Sequence, residues 1–215
     1  MLSHQVITID GPAASGKSVA GQTLAEKLGY LFVSSGHFYR ALAWAANRDA
    51  INFSKPDEIE LWLKKLSFQH KMVEGELHLF IDGYDVTPHL NEEVVNKLVS
   101  PLATIPAVRN FLLIRFRALA NQYDLVMEGR DIGSVVFPEA KYKFYLDASP
   151  EVRAHRRANQ GIIDNVTQRD QEDSTRTTAP LVIPEGATII DTSNLTIFQT
   201  HQAIEQMMEK MRFAP

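Results

Sequence analysis

The chain has no cysteine among its 215 residues, which excludes disulfide scaffolds, thiolate metal sites and cysteine nucleophiles. A basic surplus is missing too: 22 Lys and Arg stand against 26 Asp and Glu, a net charge of −4. Mild acidity argues against a protein that coats DNA or RNA, and no nucleic-acid partner is expected. Long apolar runs are absent. The run from Val6 to Ile9 meets Asp10 and Gly11 at once, far short of a signal segment or of the roughly 20 residues of a membrane span. No membrane partner and a cytoplasmic location are therefore expected. The seven histidines are scattered without H-E-x-x-H or comparable spacing, so no histidine metal site is expected. What remains is ordinary: 45% hydrophobic and 22% charged residues, the balance of a globular body with one small appended lobe.

Val6-Ile-Thr-Ile9 reads as a strand buried on both faces. After the Gly11-Pro12 break, a helix is predicted over Lys17–Leu28, with Val19, Leu24 and Leu28 on its apolar side and Gly29 as its stop. A strand at Leu31–Ser34 and a helix at about His37–Asn47 follow. This alternation predicts an α/β fold on a parallel sheet. Ser54-Lys55-Pro56-Asp57 starts a helix through Leu66, and Phe68–Val73 with Leu77–Ile81 reads as a hairpin across Glu74-Gly75-Glu76. Asp82-Gly83 makes a second turn. Helices are predicted at about Glu92–Leu98 and Val108–Gln122, with Ser100 before Pro101 as a helix terminator. The rhythm then returns: strands at Leu125–Met127, Lys143–Leu146 and Thr188–Ile190, a helix from Ser149-Pro150-Glu151, and a last helix capped by Thr196. Ile197, Ile204, Met208 and Met211 share a face of that last helix.

Gly11-Pro12-Ala13-Ala14-Ser15-Gly16-Lys17-Ser18 fits G-x-x-x-x-G-K-[ST] without mismatch. Its glycines let successive N–H groups face inward around phosphate oxygens, and the helix behind adds its dipole. Lys17 brings a charge to the β- and γ-phosphates, and Ser18 an oxygen to Mg²⁺. A chance match over a chain of this length has odds of only about 0.01 on ordinary residue usage.

The loop alone does not say what receives the phosphate. A small-molecule kinase competes with a nucleotide-dependent switch or motor. The N-K-x-D and the D-x-x-G after the second strand that a GTPase needs are missing, and Leu125-Val-Met-Glu128 is only a weak Walker B strand. Arg153, Arg156, Arg157, Arg169 and Arg176 fall in a stretch without lysine, and arginine forks suit transient clamping of phosphate oxygens. The plainer alternative is a solvated face paired with Glu151, Asp170, Glu172 and Asp173. By its residues alone, Arg109 too reads as a solvated helix residue.

Ile9-Asp-Gly-Pro-Ala-Ala-Ser-Gly-Lys-Ser18, Ser34-Ser-Gly-His-Phe-Tyr-Arg40, Glu128-Gly-Arg-Asp-Ile-Gly-Ser-Val-Val-Phe-Pro138, Phe144-Tyr-Leu-Asp-Ala-Ser-Pro150 and Arg169-Asp-Gln-Glu-Asp-Ser-Thr-Arg176 together resemble the bacterial cytidylate (CMP) kinases, in that family's order and over nearly the whole chain. The resemblance implies a P-loop nucleoside-monophosphate-kinase fold with a parallel five-stranded core sheet flanked by helices. It implies a single kinase domain over 1–215: a core of 1–35, 122–155 and 177–215, a monophosphate-binding lobe at 36–121 with a small β insertion at 67–90, and a short lid at 156–176. ATP would lie on Gly11, Pro12, Ala13, Ala14, Ser15, Gly16, Lys17 and Ser18. Lys17, Arg130, Arg156, Arg157 and Arg176 would act in catalysis, Arg156 and Arg157 from the lid.

CMP or dCMP would be held by Ser35, Arg40, Arg130 and Arg176 at its phosphate, by Ser100, Arg109 and Asp131 at cytosine, and by Asp173 with Arg169 at the ribose. Mg²⁺ would arrive with ATP, at Ser18 and, through water, Glu128. The chain departs from the family pattern in three places. His37-Phe38 adds bulk beside the acceptor motif, Glu128 stands where Asp is usual, and Ala158–Gln168 is short for a lid helix, with Gly161 as its expected pivot. The product would be CDP or dCDP by direct transfer from ATP, and the enzyme a monomer. A kinase for UMP or another small monophosphate is the alternative, and a non-catalytic nucleotide-binding protein a remoter one.

Overall fold

Five consecutive buried residues, Val6 to Asp10, fix where the sheet must lie, because a strand without a polar face needs cover on both sides. The computed structural model describes residues 4–159, 170–171, 173–176 and 178–213. In chain order its elements are β1 (Val6–Asp10), α1 (Lys17–Leu28), β2 (Leu31–Ser34), α2 (Ser35–Arg48), α3 (Pro56–Lys65), β3 (Phe68–Val73), β4 (Glu76–Ile81), β5 (Tyr84–Asp85), α4 (Glu93–Ala103), α5 (Pro106–Ala120), β6 (Leu125–Gly129), β7 (Tyr142–Asp147), α6 (Pro150–Asn159), β8 (Thr188–Asp191) and α7 (Ile197–Lys210). A short π-helical turn, Ile132–Val136, follows β6. By contact density the chain divides into two units, one made of 1–33 with 117–215 and the other of 34–116.

The first unit is built on the expected five-stranded parallel sheet, in the order β2-β6-β1-β7-β8. β1 pairs with β6 and β7 in parallel, and β7 pairs likewise with β8. A core of Ile7, Ile9, Leu24, Val126, Phe144 and Ile204 lies under α1 and α7. Two residues assigned to apolar helix faces sit elsewhere: Val19 is 46% and Ile197 63% exposed. Each lies in the first turn or so of its helix, ahead of the part that packs on the sheet. Thr196 caps α7 as expected: its hydroxyl accepts from Gln199 N–H at 3.2 Å, while the Gln199 side chain accepts from Thr196 N–H at 2.9 Å.

In the second unit β3, β4 and β5 form an antiparallel sheet. Its first turn holds Glu74 and Gly75 at φ 51° and 87°, the left-handed pair that a two-residue hairpin requires. The helix expected to stop at Leu98 instead runs to Ala103 with Pro101 inside it. Pro101 forfeits one N–H bond, but it faces solvent, and the buried stripe Val95-Val99-Leu102 continues past it. Tyr39 and Arg40 lie one turn inside α2. Phe38 is not bulk beside a binding motif. It is 1% exposed, stacked on Phe68 at 5.6 Å and edge-on to Phe116 at 5.0 Å, at the centre of this unit's core.

Truncating that ring leaves a cavity that three elements line. Phe38→Ala should destabilise the protein by about 3–5 kcal/mol, read as a fall in the denaturant midpoint followed by circular dichroism. A midpoint shift worth less than about 1 kcal/mol would show that the site collapses around the loss.

Candidate active site

β1 ends at Asp10, and the next residue has to turn under a neighbouring strand. Gly11 has φ 145°, and a Cβ there would lie 2.0 Å from the Leu146 carbonyl oxygen of β7. Only glycine fits. The loop continues through Ala14 at φ 59° and Gly16 at φ 95° and opens into α1 at Lys17. Lys17 is 5% exposed, and its ammonium donates to the Pro12 carbonyl at 2.6 Å and the Ser15 hydroxyl at 3.4 Å. Burial lowers its pKa from 10.5 to about 7. The Arg130 guanidinium acts in the same direction, and the Glu128, Asp10 and Asp173 carboxylates act against it.

A cavity of about 540 Å³ opens over this loop, with Lys17, Ser18, Arg156, Arg157, Thr192 and Ile197 among its lining residues. Arg156 crosses from α6 and donates to the Ala14 carbonyl at 3.2 Å, the Thr192 hydroxyl at 3.1 Å and the Thr192 carbonyl at 2.7 Å. The Thr192 hydroxyl in turn donates to the Ser15 carbonyl at 3.0 Å. Thr192 was absent from the sequence-based set, although its place just after β8 obeys the strand-end rule for ligands of open α/β sheets. Arg153, for which a solvated face was the plainer alternative, is 3% exposed. It does pair with Asp170, but it also donates to the Ala148 carbonyl at 2.8 Å and the Ala13 carbonyl at 3.4 Å, so it braces the back of the loop.

The strand next to β1 supplies the second group. Glu128, buried at the end of β6, accepts from the Ser18 hydroxyl at 3.3 Å. Such a pair of hard oxygen donors fits Mg²⁺, which takes few protein ligands and keeps water and phosphate oxygens. No cluster of three or more His, Cys, Asp or Glu side chains able to cage a metal occurs among the described residues. Arg130 donates from Nε to Asp173 Oδ2 at 2.8 Å, and Arg176 is ion-paired with the other Asp173 oxygen. Desolvation lowers the Arg130 pKa, but the Asp173 and Glu128 carboxylates outweigh it and leave the net value above that of free arginine. Arg176 Nε is buried and has no hydrogen-bond partner among the described residues. Asp131 is 5% exposed and precedes the π-helical turn. Arg169, Gly161 and most of the expected lid at 156–176 lie outside the described residues.

The second unit carries the other expected residues. Ser35 is buried at the start of α2. Arg40 is held by the Asn96 side chain and donates to the Leu90 carbonyl at 3.4 Å. Ser100 is half-buried on α4. Arg109 is 8% exposed rather than solvated, because it donates to the Ala103 carbonyl at 3.1 Å and lies 5.6 Å over the Tyr39 ring. Asn96 was not singled out from sequence. A polar residue on the buried side of an apolar helix was the available signal.

The chain is similar to known proteins over nearly its whole length. The cytidylate kinase family profile matches residues 7–212. A cytidylate kinase of Marinomonas sp. (strain MWYL1) is 39% identical over 211 residues, covering 93% of this chain and 93% of that protein. The cytidylate kinase of Caldanaerobacter subterraneus subsp. tengcongensis is 37% identical over 96% of this chain and 94% of its own length. Among solved structures, shikimate kinase from Acinetobacter baumannii in complex with shikimate aligns over 99% of this chain and 97% of that one, with TM-score 0.51 and 17% identity. That likeness concerns the fold.

Lys17 makes the site pH-sensitive. Between about pH 7 and pH 10 the folded protein holds it neutral while the unfolded chain keeps it protonated. Its contribution to stability therefore rises with pH across that window. A polyphosphate in the cavity favours the ammonium, so binding a nucleoside triphosphate at pH 8.5 should take up close to one proton. Calorimetry in buffers of different ionisation enthalpy measures this, and Lys17→Met should abolish it. Equal uptake in the variant would move the titration to another group.

Proposed function

The chain belongs to the cytidylate kinase family, and we propose that it transfers the γ-phosphoryl group of ATP directly to CMP or dCMP, giving ADP with CDP or dCDP. The observation that carries the reading is the charge arrangement at the ends of β1 and β6. A buried lysine in a phosphate-sized loop stands within the electrostatic field of Arg130 and Asp173. A transferring phosphoryl group needs positive charge at both its donor and acceptor sides and little covalent chemistry from the protein.

Gly11 to Ser18 cradle the ATP phosphates. Lys17, Arg156 and Arg157 bear on the charge that develops in transfer, an effect larger in the transition state than in the ground state. Thr192 keeps Arg156 aimed at the loop. Ser18 and, through water, Glu128 would hold Mg²⁺, which would supply positive charge against the phosphate oxygens of ATP. The family pattern assigns Ser35, Arg40, Arg130 and Arg176 to the acceptor phosphate, and the donor on Arg176 Nε, without a partner among the described residues, suits one of its oxygens. Ser100, Arg109 and Asp131 are assigned to cytosine, and Asp173 with Arg169 to the ribose. A carboxylate such as Asp131 accepts from the N4 amine of cytosine and repels O4 of uracil.

Within this reading the unit at 34–116 serves as the monophosphate-binding lobe and 156–176 as the lid. The reading takes the enzyme to be a monomer. No single helix among the described residues is long and apolar enough to cross a membrane.

An ADP-release assay across CMP, dCMP, UMP, AMP and GMP tests the assignment. CMP and dCMP should be turned over, and UMP much more slowly. Activity confined to UMP or to none of the five would remove the reading. Lys17→Ala should lower turnover by about 10²-fold or more, the scale of losing one electrostatic stabiliser. Asp131→Asn should narrow the CMP:UMP ratio, because an amide can turn to donate to O4. A ratio unchanged in the folded variant would place base reading elsewhere.

A further inference from the structure

Asp10 has no role in the reaction as described, yet it is the most costly residue of β1 to bury. It is 0% exposed at the end of a central strand, directly before the phosphate loop. A buried carboxyl persists only where it is well bonded. Its two oxygens each accept one backbone N–H, from Ile132 at 2.7 Å and from Gly133 at 2.7 Å. Those amides begin the π-helical turn Ile132–Val136. The β1–β6 register sets Asp10 beside Gly129. The segment after β6 is thus fixed at two points by one residue: at Gly129 through the strand pairing, and at Ile132 and Gly133 through the carboxyl. Only Arg130 and Asp131 lie between these points.

We propose that Asp10 is a positioning residue, whose carboxyl holds Arg130 and Asp131 in fixed placement against the phosphate loop that begins at the next residue. The inference rests on the kinase reading for its consequence, not for its geometry. A two-residue bridge pinned at both ends has few backbone conformations, and catalytic groups must be held within about half an ångström of productive geometry. The turn also closes on the bridge, because Val135 and Val136 N–H donate to the Asp131 carbonyl at 2.9 and 3.1 Å. Gly133 completes the device: a Cβ there would lie 2.7 Å from the Thr8 hydroxyl and 3.1 Å from Asp10 Oδ2, so the close approach of backbone to carboxyl needs glycine.

The charges around it support the same picture. Burial pushes the Asp10 pKa up to about 7 against its two N–H bonds, with Asp131 raising it further and Lys17 lowering it. Tyr145 lies opposite on β7.

Asp10→Asn removes one acceptor and turns a donor toward a donor, with almost no change in volume. If Asp10 positions the bridge, kcat with CMP should fall by about 10²-fold, the cost of misplacing reacting groups by roughly an ångström. The CMP:UMP ratio should narrow, while KM for ATP stays within about three-fold. A merely structural role would lower stability and leave that ratio and the kcat–KM split alone. Hydrogen exchange on the parent protein gives a test independent of any variant. Amides of Ile132 and Gly133, outside any strand pairing, should be protected as strongly as the β1–β6 ladder. Rapid exchange at both amides would overturn the proposal, as would a folded Asp10→Asn with parental kcat and base ratio. If the parent fails to phosphorylate CMP, the kinase reading falls, and the exchange result still judges the anchor.

Discussion

A buried ammonium bonded to neutral oxygens is the constraint around which the first unit is arranged. Lys17 is almost wholly buried, and its hydrogen-bond partners are a carbonyl and a hydroxyl. Taking such a charge out of water costs several kcal/mol unless opposite charge compensates it. The carboxylates that act on it, Glu128, Asp10 and Asp173, do so from a distance and incompletely, which is why burial still wins and its pKa falls to about 7. A bound polyanion would supply the missing counter-charge. A loop of this kind gains most from a polyanion.

The sheet order decides which residues can take part. With β1 between β6 and β7, the segments leaving three adjacent parallel strands converge at one edge. The phosphate loop leaves β1, Arg130 and Asp131 leave β6, and the Leu146 carbonyl of β7 forces the glycine that starts the loop. Thr192 follows β8 and reaches the same loop through its hydroxyl. These are the carboxyl ends at which open α/β sheets bind ligands. Here the reason is visible in single contacts: each strand end brings one backbone or side-chain group to residues 11–18.

Local signals in the sequence were sufficient for whatever depends on near neighbours. The phosphate loop, the alternation of strand and helix, the Glu74-Gly75 turn and the Thr196 cap all rest on spacing within a few residues, and all stand in the structure. Properties that depend on distant partners were not legible. Arg109 and Arg153 look like surface arginines until the Ala103 carbonyl, the Tyr39 ring, Asp170 and the Ala13 carbonyl are in place around them. Pro101 stops a helix by its own chemistry, and tertiary packing of Val99 and Leu102 carries α4 past it. Phe38 was set against a binding motif by its neighbours in sequence, whereas its neighbours in space are Phe68 and Phe116.

The two kinds of cation in this site divide the work according to their chemistry. Arg130 and Arg176 share the Asp173 carboxylate, and a guanidinium in a fork keeps its charge at any pH the protein meets. They are permanently positive, and their shared pairing with Asp173 fixes their placement. Lys17 has no such fork to enter, and a compact ammonium shifts its pKa readily when buried. Its charge near neutral pH is therefore conditional on what occupies the loop. A site made only of arginines would hold phosphate without distinguishing an occupied from an empty donor loop. One made only of buried lysines would lose its field whenever it emptied. The combination keeps a fixed field where Arg130 and Arg176 pair and a responsive one at the donor loop. That arrangement requires Asp173 and Asp10 to be buried acids rather than surface ones, since at the surface solvent would screen the coupling between them and Lys17.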